Sequence, residues 1–498
     1  MPSTASVATT SSRPPGPTTG VLGDLVGPVV RALGLAPARR HSGRPGRTHI
    51  EVRGVATPGE RSTREDLVEE LLAVPGVQGA VVNAVVGRVV VDHSPDVELA
   101  RLVGVVEDVE RRHGLDRAPA DTSGKHPADV TPWSRQVLAL GVDLAGLGLV
   151  GVERWLGLVP LTRSIPPLLT GTLSLLDAVP SSRSAAERTA GGATTESWFS
   201  LGSATLQALG RGPVGLVVDA CYRVVRADEA AARTAAWTAW DARAPLATHA
   251  AEPLGPTQRP GSLPRGPVDV VGDASGATAL AAFGTVAALV PERAAAVLLA
   301  GVPKAARWGR EAYAAAAHRA VADLGVVSMD PAALRTADRV DMVVLGEGLA
   351  DRLADAAATV GRVVVVDDDA TAAAVVRLQA AGHGVALVSA DDDEGLAVAD
   401  VGIGLGAELP WSADLRCADA DQARAVLLAV AGARAASWRA AVLALTGSAI
   451  GAPIAVTSSL VGLTGRTNAP VTLAALAALG VNTWAGRRSV GEGRIRPL

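Results

Sequence analysis

The sequence predicts a mixed architecture, α/β domains joined to apolar helices long enough to cross a membrane. Three observations predict it. Residues 340–345, 362–366 and 384–388 are Val-rich runs separated by helical stretches, the alternation of a sheet whose strands are linked by helices. Residues 438–463 and 470–485 are apolar over lengths near the ~20 residues needed to span a bilayer. Residues 49–111 carry a smaller strand, helix, strand, strand, helix pattern.

The chain has 498 residues, of which 48% are hydrophobic, enough for several folded units. Lys125 and Lys304 are its only lysines, and the net charge is −4. No basic stripe with interleaved aromatics is present, which argues against nucleic-acid binding. Cys221 and Cys417 are too few for a disulfide framework or a cysteine-based zinc site. The Ser/Thr/Pro-rich start lacks the charged segment and long apolar run of a secretory signal. Residues 1–45 are expected to be disordered, with a short amphipathic helix around 21–35.

Within 46–115, residues 49–55 alternate as a strand and 63–73 have helical spacing after a candidate cap, Ser62. Residues 77–82 and 86–91 predict a hairpin, and 97–111 an amphipathic helix ending near Gly114. This order is most of a ferredoxin-like split βαβ unit. It resembles the heavy-metal-associated domain that precedes many metal-pumping ATPases. Such domains hold soft metals through C-x-x-C in the first loop, but residues 54–60 here contain no cysteine. His93 and His113 are read as surface residues, and no metal site is expected.

A Pro/Ser/Asp linker is expected over 116–135, then membrane and amphipathic helices over 136–302. Residues 136–159 predict a span, and 161–179 a shorter return after Pro160. Asp143 and Glu153 lie in the first of these. They are either functional intramembrane acids or signs of a helix only partly inserted. Residues 214–239 form a further helix, and 241–268 a Pro-rich loop. Residues 277–302 are apolar but broken at Pro291, which suggests one interrupted span or a tight pair. Near the C-terminus, 433–486 predict a transmembrane hairpin. The basic tail 487–498, with Arg487, Arg488 and Arg494, belongs on the cytoplasmic side by the positive-inside rule.

Residues 303–432 carry the most specific signal. Residues 375–406 end in Ala399-Asp400-Val401-Gly402-Ile403. They closely resemble the end of the phosphorylation domain of cation-transporting P-type ATPases, in which G-D-G-x-N-D-x-P-A-L precedes A-x-x-A-D-V-G-I. Residues 337–345 resemble that family's run into D-K-T-G-T. Val290-Pro291-Glu292 resembles the start of its P-E-G-L-P helix break. The pattern is closest to the degenerate extra half of large actinobacterial members. The resemblance implies a truncated Rossmann-like domain of the haloacid-dehalogenase type.

The departures from that pattern imply a pseudoenzyme without a cofactor. The phosphorylated Asp is replaced by Gly346, and the following Lys by Glu347. Glycine has no nucleophile, and glutamate carries the wrong charge toward phosphate. A second family Lys falls near Thr371. The Mg²⁺ loop becomes Ser389-Ala390-Asp391-Asp392-Asp393, so Asp391 and Asp392 are vestigial. Only about a dozen residues separate Leu349 from Arg362, where the family inserts its nucleotide-binding domain. No T-G-E loop is found, and Arg293 follows the break at Pro291 and Glu292.

One motif points elsewhere. Asp367-Asp368-Asp369-Ala370-Thr371 fits the D-x-D-x-T of haloacid-dehalogenase phosphatases, in which Asp367 would attack phosphorus and Asp369 would handle the leaving-group proton. The other reading is an acidic loop capping the helix 370–381. Gly402, Gly404 and Gly406 are read as a turn, and Trp411 and Trp438 as marks of packing and of a membrane boundary. The expectation is a multi-pass cell-membrane protein with cytoplasmic soluble domains. Its expected partners are the membrane and an intact P-type ATPase, with no nucleic acid.

Overall fold

In a computed structural model the described residues are 39–57, 61–116, 126–129, 131–156, 213–254, 258–406, 410–457 and 469–491, with isolated positions 179, 182 and 185. The expected helices at 21–35 and 161–179 lie outside them. Residues Ser42 to Leu498 form one compact unit.

The first sheet has the order β1-β2-β4-β3. Its strands are β1 (His41–Arg44), β2 (Arg47–Glu51), β3 (Val77–Asn83) and β4 (Arg88–His93). β4 pairs antiparallel with β2 and β3. α1 (Arg61–Leu72) follows β2, and α2 (Leu99–Arg112) follows β4. Both helices bury their apolar stripe on the sheet through Leu67, Leu71, Leu102 and Val106 against Ile50, Val89 and Val91. The strand, helix, hairpin, helix order matches the sequence pattern, with two changes. β1 starts inside the stretch expected to be disordered. Ser62 lies within α1 rather than capping it. His93 is also no surface residue; it is buried, with Nε2 2.8 Å from Thr48 Oγ1.

The expected linker is shorter than 116–135. His126 and Asp129 are buried, with Asp129 accepting from Arg88 at 2.9 Å, and α3 (Thr131–Leu156) starts soon after. α4 (Pro213–Asp241) is continuous and leads to a 3-10 turn at Leu246–His249. α5 (Pro267–Leu289) and α6 (Pro291–Gly301) meet at Val290, whose extended backbone interrupts the helix where Pro291 supplies no N–H. α7 (Lys304–Ala322) then enters the second sheet.

That sheet has the order β5-β10-β9-β8-β6-β7. The strands are β5 (Val327–Ser328), β6 (Met342–Gly346), β7 (Arg362–Val366), β8 (Val385–Ser389), β9 (Val401–Leu405) and β10 (Leu415–Cys417). All neighbours are parallel except β10 with β5. Alternation along β6 sends Val343 and Leu345 to one face and Met342 and Val344 to the other. α8 (Glu347–Val360) packs on the first face with α7 and α11 (Ala420–Thr457). α9 (Thr371–Ala380) and α10 (Asp393–Val398) cover the second. Burial on both faces explains the unbroken Val and Leu runs of β6 and β8.

Two boundaries shift at the C-terminus. α11 is continuous from Ala420 to Thr457, so it runs through the expected boundary at 432/433. α12 (Ala469–Gly491) likewise carries Arg487 and Arg488 on the helix rather than in a tail. α7 packs tightly on both: a Cβ on Gly309 would lie 2.5 Å from Ala440 Cβ and 2.8 Å from Asn482 Nδ2.

Among the described residues, α5, α11 and α12 are long and apolar enough to cross a membrane. They also expose Leu280, Trp438, Val442, Leu445, Ile450, Leu473 and Trp484. The three fall short of the expected four to six, of which the return at 161–179 lies outside the described residues, and α3 is not one of them. Its Asp143 is fully buried and faces α4, with Oδ2 3.6 Å from Arg223 Nε. The side chain of Glu153 lies outside the described residues.

Candidate functional site

The parallel strands β6, β7, β8 and β9 end on one edge of the second sheet. β6 is followed by β7 on one side, and β8 then lies on its other side. The loops after β6 and β8 therefore diverge at a switch point, where such sheets place ligands. Gly346 closes β6 there, and Glu347 opens α8 exposed to solvent.

Ser389 ends β8 nearly buried. Its Oγ accepts from the backbone N–H of Asp391 at 3.3 Å and of Asp392 at 3.1 Å. Asp392 caps α10, accepting from Gly395 N at 2.7 Å, while the hydroxyl of buried Thr371 donates to its other oxygen. Its carboxylate is thereby engaged within the fold. Asp391 is exposed.

Asp367 and Asp369 follow β7. β7 is the edge strand and half-exposed, unlike the buried strand expected. Both carboxylates are exposed. The helix-cap reading is not borne out, because no side-chain cap hydrogen bond is made at the start of the 3-10 turn Asp368–Ala370 or of α9. Around this edge, residues 346–348, 367–371 and 389–394 contain Glu347, Asp367, Asp368, Asp369, Asp391, Asp392, Asp393 and Glu394, with no Lys or Arg. Such a rim repels a polyphosphate unless cations intervene.

The glycines after β8 are not a turn. Gly402 and Gly404 lie within β9, where a Cβ would meet Leu396 O at 2.6 Å and Pro410 Cγ at 2.6 Å. Gly406 alone takes the left-handed turn, with φ of 125°. Asp400 is held by Arg259 Nε at 2.7 Å and by Val385 N at 2.8 Å. It therefore fixes the start of β9 rather than facing the loop edge.

A second cluster escaped the sequence reading. His49 of β2, Asp241 at the end of α4 and His249 of the 3-10 turn are buried together. Trp237, Trp240 and Trp411 surround them, with Trp237 5.6 Å from the His49 ring and Trp411 6.0 Å from that of His249. Trp411 Nε1 donates to Thr248 O at 3.0 Å, which agrees with its expected packing role. No local motif marks this cluster, since His49 lies about 190–200 residues before Asp241 and His249.

No family model matches the chain. It is similar to the "Probable cation-transporting ATPase I" of Mycobacterium tuberculosis (strain ATCC 25618 / H37Rv), with 27% identity over 395 residues. That match covers 65% of this chain and 23% of the relative. The protein of the same name from Mycobacterium leprae (strain TN) is 25% identical over 358 residues, covering 62% and 22%. The chain is related to the cation-transporting P-type ATPases. It spans under a quarter of the length of the curated relatives it matches.

In this P-type ATPase-like chain the helix break lies between α5 and α6. Pro291 begins α6, and Val290 before it has φ of −147° and ψ of 72°. Arg293 donates to Val456 O of α11, tying the break to the neighbouring apolar helix. The side chain of Glu292 lies outside the described residues. The relationship and the three apolar helices together mark a membrane protein.

Proposed function

We propose that this chain is a P-type ATPase-like pseudo-ATPase that acts as an accessory or regulatory partner of an intact cation pump. The observation that carries this is the interval from β6 to β7. It is filled by one helix, α8, whose Leu353, Ala356 and Ala357 are packed into the core. A nucleotide-binding domain has no place to be inserted there. Gly346 stands at the tip of β6 in place of a carboxylate nucleophile. Phosphoryl transfer relies on cations around the transferring group, and the loops at this edge are acidic.

The first sheet, with its antiparallel strands and two helices on one side, supports a ferredoxin-like domain over 46–115. The second supports a truncated haloacid-dehalogenase-type phosphorylation domain over 303–432, framed by membrane helices in 136–302 and 433–486. The soluble domains lie in the cytoplasm on this reading, and the membrane is the cell membrane.

The test is affinity purification of the tagged chain from native membranes in mild detergent, with mass spectrometry of what accompanies it. A stoichiometric intact P-type ATPase is expected. A chain that emerges alone from gentle extraction would sink the accessory role.

A further inference from the structure

We propose that His49, Asp241 and His249 form a binding site for one borderline divalent cation, Zn²⁺ foremost, joining the first sheet to α4. The Nε2 atoms of His49 and His249 lie 3.1 Å and 3.2 Å from the same oxygen, Asp241 Oδ1. Bonds of about 2.0–2.1 Å to a tetrahedral Zn²⁺ separate adjacent ligand atoms by roughly 3.3 Å. Two of the three donor pairs therefore already stand near that edge length, and all three donor atoms lie within 4.8 Å of one another. Their side chains are 2%, 5% and 0% exposed, so water does not compete for them. Two imidazoles and a carboxylate suit Zn²⁺, Co²⁺ or Ni²⁺, whereas the absence of thiolates disfavours Cu⁺.

Two further features point to a ligand. His249 Nδ1 is buried with no hydrogen-bond partner among the described residues, so Asp241 and its surroundings hold that ring through Nε2 alone. His126, with its ring 5.5 Å from that of His49, has Nε2 buried and equally without a hydrogen-bond partner among the described residues. A water completing the tetrahedron has that imidazole as a neighbour.

The local charges allow a cation. Arg47 Nη1 stands 3.2 Å from His249 Nε2 and 3.5 Å from Asp241 Oδ1. Its guanidinium is matched by Asp92, at 2.6 Å and 2.9 Å, and Nη1 also donates to Ala244 O at 2.8 Å. Asp241 therefore keeps its charge for the metal. Arg44 Nε lies 3.6 Å from Asp241 Oδ2, and its side chain is 35% exposed. In the metal-free chain both Nε2 atoms face Oδ1. Binding requires each ring to carry its proton on Nδ1 and turn the Nε2 lone pair to the ion.

The site uses no residue of 54–60, so it does not depend on the missing C-x-x-C. Nor does it depend on the accessory role proposed above. The test uses the full chain in detergent, stripped with a chelator and titrated with Co²⁺ followed by visible absorption. One equivalent of Co²⁺ with a tetrahedral band is expected, displaced by Zn²⁺. His49→Ala, His249→Gln and the isosteric Asp241→Asn each weaken binding by at least about tenfold, while His113→Gln leaves it unchanged. Circular dichroism of each variant separates lost ligation from lost fold. Absence of stoichiometric Co²⁺ in the wild-type chain overturns the proposal by itself. So does a band that persists in folded Asp241→Asn and His249→Gln.

Discussion

Arg416 of β10 stacks its guanidinium 4.6 Å from the ring centre of Trp240 of α4, and 4.1 Å from that of Trp411. The side chain is 1% exposed, and burial lowers its pKa to about 9, which still leaves it charged at neutral pH. The indole faces replace part of the lost hydration. Trp240→Leu should therefore destabilise the chain by about 2 kcal/mol, the size of a desolvated cation–π contact. Urea unfolding of the detergent-solubilised protein measures it. In Arg416→Met the same Trp240→Leu change should cost less, because no buried charge is left uncovered. Equal costs in both backgrounds would show that the stacking carries no charge contribution.

The acidic loop edge and Gly346 predict that the chain takes no phosphate from ATP. Incubation with γ-labelled ATP and Mg²⁺ should give no acid-stable protein label. Gly346→Asp alone should not restore it, because Glu347 keeps the wrong charge beside the new carboxylate and the interval from β6 to β7 is filled by α8. A hydroxylamine-sensitive label on the wild-type chain would refute the pseudoenzyme reading.

Asp367 and Asp369 are exposed beside an edge strand, a poor setting for nucleophile and acid/base. Hydrolysis of para-nitrophenyl phosphate by the pure chain should stay at background. It should be the same in Asp367→Asn. Activity that Asp367→Asn removes would instead favour a small phosphatase.

Acid should loosen the junction of α4, α7 and the turn before β6. Glu229 lies 2.5 Å from Arg335 Nη2 and 2.9 Å from His318 Nδ1, while Glu311 accepts from Arg226 at 2.6 Å and Arg335 at 2.7 Å. Burial pushes both carboxyls up, but Arg335 and Arg226 hold them well below the ordinary 4.5. A depressed carboxyl pKa contributes stability above the unfolded value and loses it as pH falls toward the folded one. Burial also lowers His318 from 6.5, so its contribution wanes in the same direction, beginning nearer neutrality. Melting temperature should fall from about pH 6.5 downward and more steeply below about pH 4.5. Glu311→Gln should flatten the acidic limb. An unchanged limb in that variant would remove Glu311 from the account.

Gly432→Ala sets two effects against each other. In an exposed helix interior the change stabilises by about 1 kcal/mol. Here the added Cβ would lie 2.2 Å from Tyr313 Oη, whose hydroxyl donates to Ala429 O at 2.6 Å. Overpacking of about 1–3 kcal/mol should win. Removing that hydroxyl in Tyr313→Phe should reverse the sign of the Ala substitution, as measured by thermal unfolding.

Gly432 also shows where sequence reading ran short. The expected boundary between the sheet domain and the C-terminal hairpin fell at this residue. It is instead the contact point for Tyr313, which only folding brings to it. The strands β6 and β8 were legible because parallel strands buried on both faces need long apolar runs, whereas β7 was legible from its four consecutive valines although it is a half-exposed edge strand. β1, β5 and β10 have four residues or fewer. They depend on neighbours rather than on their own pattern, and no periodicity marks them. Gly346, Glu347 and Asp391 were found by position within a known motif. His49, Asp241 and His249 belong to no motif, since a strand, a helix end and a turn meet there only through the packing of Trp237, Trp240 and Trp411.

The unbroken course of α11 has a mechanical consequence. A helix of 38 residues is about 57 Å long at ~1.5 Å per residue. Its first half is wedged beneath the sheet by Val426, Leu427 and Val430, and its second half carries the apolar surface around Trp438, Val442 and Ile450. No joint separates the two until Pro453. A tilt of roughly 5° at the sheet would swing the far end by about 5 Å over that length. The rod thus converts small rotations of the sheet into displacements of helix ends within the bilayer, and force applied at either end is felt at the other.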